Sequence, residues 1–127
     1  MPLIVRKWII RADLRADPEA THVFGDNERR FGLGGQAREM RGEPNAVGVA
    51  TLQAPGVFWS EADADRQCAV IDADMAPLFQ AMRDGKVVVF PIDGIGTGLA
   101  DLANKSPTTF AHLQRQVAAL TKTEEQF

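Results

Sequence analysis

The sequence predicts a small α/β domain, a mixed sheet flanked by helices, and three observations predict it. Residues 86–92 form a continuous, β-branched run without polar alternation, the pattern of a strand covered on both faces. Phe110, Leu113, Val117 and Leu120 recur at helical spacing behind Ser106-Pro107, a helix start with proline in the first turn. Eight of the 11 glycines fall into two groups, each after a short apolar strand and before a helix: Gly25, Gly32, Gly34, Gly35 and Gly42, then Gly94, Gly96 and Gly98.

Taken in order, residues 3–10 are rich in Ile and Val and read as a strand. Residues 13–17 read as a turn or short helical piece, because Pro18 biases Asp17 away from the α region. Residues 21–24 are a short strand running into Gly25-Asp26-Asn27. Gly34-Gly35 opens a short helix over 36–40, stopped by Gly42 and Pro44. Residues 46–52 read as a strand with Gly48 as its weak point, and Val57-Phe58-Trp59 is a short apolar patch. Farther on, Cys68, Ile71, Met75, Leu78, Phe79 and Met82 fit helical spacing, but Pro77 inside one long helix would cost ~3 kcal/mol. The expectation is therefore a helix over 74–84, with Pro77 in its first turn and Gly85 just past its end, and a separate strand or turn at 67–71. The strand at 86–92 then runs straight into Asp93-Gly94-Ile95-Gly96-Thr97-Gly98. These patterns leave the strand order open.

The 127-residue chain has room for a single domain, 1–127, with 121–127 read as a frayed tail. A chain of this size buries roughly two-thirds of its extended surface, enough for a core without staples. An apolar share of 45% and a charged share of 24% exclude a disordered or fibrous chain. Cys68 is the only cysteine, and His22 and His112 are the only histidines, so neither an internal disulfide nor a Cys/His metal centre is expected, and no cofactor is indicated. Residues 1–8 carry no long apolar run, so neither a signal peptide nor a membrane span is expected, and the setting reads as reducing and cytoplasmic. A net charge of −3 argues against nucleic acid as the partner and leaves room for a local basic pocket.

Both glycine groups sit at strand ends, and open α/β sheets bind ligands in the crevice beyond the carboxyl ends of their strands. If Phe24 and Ile92 end neighbouring parallel strands, the two loops face one crevice. Glycine lets backbone N–H groups reach an anion with no side chain in the way. Gly34, Gly35, Gly96, Thr97 and Gly98 are therefore candidate phosphate-binding positions, and Gly25, Gln36 and Gly94 are further candidate ligand-binding positions. Arg38 and Arg41 add guanidinium groups around the first loop. Asp26 and Asn27 either cap the turn or hydrogen-bond a base or ribose. Asp93 either caps the turn after it or binds sugar hydroxyls and activates water, which makes Asp93 and Asp26 the candidate catalytic carboxylates. Glu43 and Asn45, flanking Pro44 in a rigid turn, complete the set. Leu99 stands where a dinucleotide fingerprint needs its third glycine, and no Gly-Lys-Ser/Thr occurs, which excludes a standard Rossmann motif and a P-loop. The competing reading is that the glycines serve only tight turns.

The remaining chemically interesting residues read as structural. His112 lies off the apolar stripe and reads as solvent-facing, His22 as structural and Cys68 as core. Trp8 and Trp59 either stack on a base or fill the core. Glu61, Asp63 and Asp65 read as a solvated turn without EF-hand spacing.

Phe24-Gly25-Asp26-Asn27, Gly34-Gly35-Gln36-Ala37, Met40-Arg41-Gly42-Glu43-Pro44-Asn45-Ala46 and Asp93-Gly94-Ile95-Gly96-Thr97-Gly98-Leu99-Ala100 together resemble a family of small phage and bacterial proteins without a settled activity. That resemblance covers nearly the whole chain and implies the cytoplasm of a bacterial or phage-infected cell. More remotely, Gly25-Asp26-Asn27 with Gly32 to Gly35, and Ile95-Gly96-Thr97-Gly98, resemble the two phosphate-cradling loops of macro domains, which bind ADP-ribose. The chain departs from that pattern in its length, in having no clear adenine-binding aspartate, and in lacking an Asn-Ala-Ala-Asn sequence. The macro resemblance implies a macro-like fold and a nucleotide ligand, ADP-ribose or a related NAD-derived molecule. Two alternatives are an ADP-ribosyl or N-glycosidic hydrolase on the same pocket, and a protein-interaction module without a small ligand.

Overall fold

The computed structural model of the chain describes residues 3–91, 95–96 and 100–125. It is a mixed five-stranded sheet with helices on both faces, as the sequence predicts. The strands are β1 (Leu3–Arg6), β2 (Thr21–Asn27), β3 (Ala46–Ala54), β4 (Val57–Phe58) and β5 (Val88–Pro91). The helices are α1 (Arg11–Ala16), α2 (Ala37–Met40), α3 (Ala64–Arg83), α4 (Leu102–Lys105) and α5 (Pro107–Glu125). The strand order is β1-β5-β2-β3-β4; every pairing is parallel except the antiparallel β3–β4 hairpin at one edge.

β5 explains its own sequence. It lies between β1 and β2, and Val88, Val89 and Phe90 are all buried because both faces are covered. On one face, Phe24 and Val89 pack with Ile9, Leu14, Ala37 and Met40 from the α1/α2 side. On the other, Val23, Val49, Val88 and Phe90 pack with Ile71, Met75 and Leu78 of α3 and with Leu113 and Leu120 of α5.

Two expectations are corrected. The first strand ends at Arg6, and the next helix begins at Arg11, earlier than the predicted turn. The strand-or-turn expected at 67–71 and the helix expected over 74–84 are one 20-residue helix, α3, with Pro77 inside it. Pro77 and Ala73, whose carbonyl loses its intrahelical donor, both lie on the exposed side, whereas Ile71, Met75, Leu78 and Met82 form an unbroken buried stripe. Burial of that stripe outweighs the cost of one missing bond. Gly85 follows the helix with φ 76°, as a residue past a helix end should. α5 extends to Glu125, with the Thr121 and Thr123 hydroxyls donating to the carbonyls of Val117 and Ala119; residues 126–127 of the expected tail lie outside the described residues.

Several polar residues prove to be fasteners of this frame. Glu61, read as part of a solvated turn, accepts from the Thr108 N–H at 3.0 Å and from the Thr108 hydroxyl, so it caps the start of α5. The Thr108 hydroxyl and N–H hold the Glu61 carboxyl below its usual value. His112 is half-buried, its Nε2 2.6 Å from Asp72 Oδ1. Cys68 is half-buried on α3, and its thiol is pushed up by desolvation and by Asp72.

His22 sits inside β2 with 1% exposure, and its Nδ1 has no hydrogen-bond partner among the described residues. Burial lowers its pKa from the ordinary 6.5, against opposing contributions from the Ala20 backbone and Asp17. Below 6.5 the unfolded chain therefore takes up a proton that the folded chain resists. Stability should fall as pH drops from 6.5 towards the lowered pKa and should then level off with respect to this group. Urea titrations from pH 7.5 to 5 check this: His22→Gln should flatten the slope, and an unchanged slope would contradict the assignment.

Candidate functional site

The helices leave adjacent strands in opposite directions, and this opens a crevice. The chain leaves β1 and β2 for α1 and α2 on one face, whereas it leaves β5 for α4 and α5 on the other. β5 and β2 are neighbours, so their carboxyl ends flank a topological switch point, where ligands bind in such sheets. A cavity of about 550 Å³ lies there, within the range of small-molecule sites. Lys7 and Trp8 line it after β1, Gly25 to Asn27 at the end of β2, Thr51, Leu52, Pro55, Gly56 and Phe58 around the β3–β4 turn, and Pro91 at the end of β5 with Ile95 and Gly96 beyond it.

The two glycine groups meet in this crevice. A Cβ on Gly25 would lie 3.8 Å from the Ile95 side chain and 3.9 Å from the Gly96 nitrogen, so the end of β2 abuts the second segment directly. Gly96 has φ 80°, and a Cβ there would come within 3.1 Å of Leu102 and 3.3 Å of Leu113. Only glycine fits both that backbone and that space. Beside them the β2–β3 register shifts between Asp26 and Asn27, a bulge of the kind that ends pairing next to binding sites.

The wall over residues 28–36 is held at three points. Asn27 Nδ2 donates to the Phe31 carbonyl at 2.8 Å while its Oδ1 accepts from the Arg29 N–H at 3.0 Å. Arg41 Nε donates to the Gly32 carbonyl at 2.8 Å. The Gln36 amide bonds both the N–H and the C=O of Ile9, each at 2.8 Å, tying the wall to the segment after β1. Among the described residues, the N–H groups of residues 31–35 have no acceptor.

Beneath the wall lies an ion-pair chain. Asp26, with 4% of its side chain exposed, accepts from Arg41 at 2.5 and 3.3 Å and from the Asn27 N–H at 2.8 Å. Arg30 approaches the same carboxylate at 3.7 Å and donates twice to Asp74 of α3, both at 2.8 Å. Arg30 has a left-handed φ of 58°, backbone strain that these bonds maintain. Gly48 completes the arrangement, because a Cβ there would lie 2.9 Å from Asp26 Cβ and collide with its carboxylate. The weak point inside β3 is thus space reserved for Asp26.

Of the sequence-predicted site residues, Gly25, Asp26, Asn27, Gly34, Gly35, Gln36, Arg41 and Gly96 line the crevice together. Arg38, Glu43 and Asn45 do not line it. Arg38 is exposed on α2. Glu43 accepts from Arg11 at 2.6 Å and Arg15 at 3.2 Å, and these two guanidinium groups, Arg15 foremost, hold its carboxyl below the usual value. Asn45 Nδ2 donates to the carbonyls of Leu14, Asp17 and Ala20, closing the α1–β2 connection. Asp93, Gly94, Thr97 and Gly98 lie outside the described residues. The candidate set omits the apolar lining, chiefly Phe31, Leu33 and Phe58. The alternation Phe31-Gly32-Leu33-Gly34, apolar residues among glycines, is the signal that marks two of them. Among the described residues, no group of three or more His, Cys, Asp or Glu side chains is arranged to hold a metal ion, and no helix is long and apolar enough to cross a membrane.

A family model described as a family of unknown function (DUF7831) matches residues 4–116. No curated protein and no solved structure matches the chain.

Proposed function

The chain belongs to DUF7831, a family of unknown function, and from its crevice we propose that it binds a phosphate-containing nucleotide, ADP-ribose or a related NAD-derived ligand. The observation that carries this reading is the meeting of two glycine segments, distant in sequence, at one switch-point crevice. The unengaged N–H groups of residues 31–35 supply donors for a diphosphate without a large basic surface. The resemblance of Gly25-Asp26-Asn27, Gly32 to Gly35 and Ile95-Gly96 to macro-domain loops points to the same ligand class. Binding is favoured over hydrolysis at Asp26. A general base needs a carboxylate open to water, and both Asp26 oxygens face guanidinium groups.

Thermal unfolding in the presence of nucleotides tests the proposal. A ligand at a hundred times its Kd stabilises by ~2.7 kcal/mol, which raises the Tm of a chain this size by about 10 °C. ADP-ribose should give such a shift. No shift from ADP-ribose, NAD or AMP at millimolar concentration would remove the reading.

A further inference from the structure

Trp8 is the bulkiest exposed apolar side chain of the crevice lining, 56% exposed, although the same fold buries Trp59 to 2%. Its backbone is not loose. The next residue, Ile9, is fully buried, and the Gln36 amide holds its N–H and C=O at 2.8 Å each. An exposed indole whose neighbouring backbone is held in place offers a flat surface at little cost in backbone ordering. Phe58, also in the lining, already carries the Lys105 ammonium 4.6 Å from its ring centroid. Lys7, next to Trp8, lines the crevice and has no carboxylate partner among the described residues, while the Asp26 and Arg41 charges offset each other.

This inference rests on the nucleotide reading and makes it more specific. We propose that Trp8 is the platform on which the ligand's planar base stacks, with Lys7 and the glycine segment at residues 31–35 meeting its phosphate end. The crevice then selects phosphate esters that carry a nucleobase over simple sugar phosphates. Stacking on an aromatic side chain tolerates any base, so the selection is for a ring and not for one base.

Calorimetry with ADP-ribose and ribose 5-phosphate, on the wild type, Trp8→Ala and Trp8→Phe, tests this. ADP-ribose should bind the wild type more tightly than ribose 5-phosphate. Trp8→Ala should weaken ADP-ribose roughly 5- to 150-fold, leave ribose 5-phosphate within about twofold, and be largely rescued by Trp8→Phe. Because the side chain is exposed, these variants should keep the wild-type fold. Equal affinity of the wild type for both probes, or an unchanged or equal loss for both in Trp8→Ala, overturns the Trp8 assignment and leaves the phosphate reading standing. Failure of both probes to bind the wild type overturns both. A change of oligomeric state in Trp8→Ala with unaltered ADP-ribose affinity overturns the assignment in favour of a protein partner.

Discussion

Asp26→Ala should lower stability by about 3 kcal/mol, equivalent to a Tm about 10 °C lower. The carboxylate is 4% exposed and accepts from Arg41, whose own side chain is 20% exposed. Removing it leaves a guanidinium in a poorly solvated place and frees the Asn27 N–H. Breaking a buried pair costs about 3–5 kcal/mol, and the partial exposure of Arg41 puts the expectation at the lower end. The damage should also spread locally. Arg41 holds the Gly32 carbonyl as well as Asp26, so the wall over residues 28–36 loses a restraint. Protease sensitivity at residues 31–35 should therefore rise more than the global stability loss requires. A Tm within about 2 °C of wild type would show that the pair does not hold the crevice floor.

Gly48→Ala should cost about 2–4 kcal/mol, although it adds one methyl to a strand and demands no unusual backbone angle. The new Cβ would fall on the Asp26 carboxylate and within 2.9 Å of Asp26 Cβ. Either β2 and β3 part, or Asp26 leaves Arg41. Urea unfolding of both single variants and the double variant checks the cause. Since both changes break the same pair, the double variant should lose clearly less than the sum of the two. Additive losses would place the Gly48 effect elsewhere.

The parts of the fold that follow from local pattern were legible in the sequence. The β-branched run behind β5, the glycines after β2 and the stripe of α5 each carry their own signal over a few residues. Pro77 misled because the rule against proline in helices weighs one bond, whereas the buried stripe of α3 is a sum over five turns. Part of the crevice was legible too, since the glycines identify where backbone is bare. The roles of the polar residues between them were not. Gln36 and Asn45 engage backbone groups 25 to 31 residues away, and Glu43 engages Arg11 and Arg15. An amide in a glycine-rich segment looks the same in sequence whether its partner is a ligand or a distant carbonyl. The apolar lining was legible only in part: Trp8 stood open between stacking and core, and Phe31 and Leu33 carried no more signal than apolar residues set among glycines, because which of them stay exposed depends on packing partners that the fold withholds.

If the two separated glycine segments form one anion-binding surface, as proposed, their backbone amides should report ligand binding together. In a titration of ¹⁵N-labelled protein with ADP-ribose followed by NMR, the amides of Gly34, Gly35 and Gly96 should shift together and saturate at a common ligand concentration, while Gly85, beyond the end of α3, stays in place. Shifts confined to one segment, or spread over the surface without saturation, would mean that the two segments do not share a ligand.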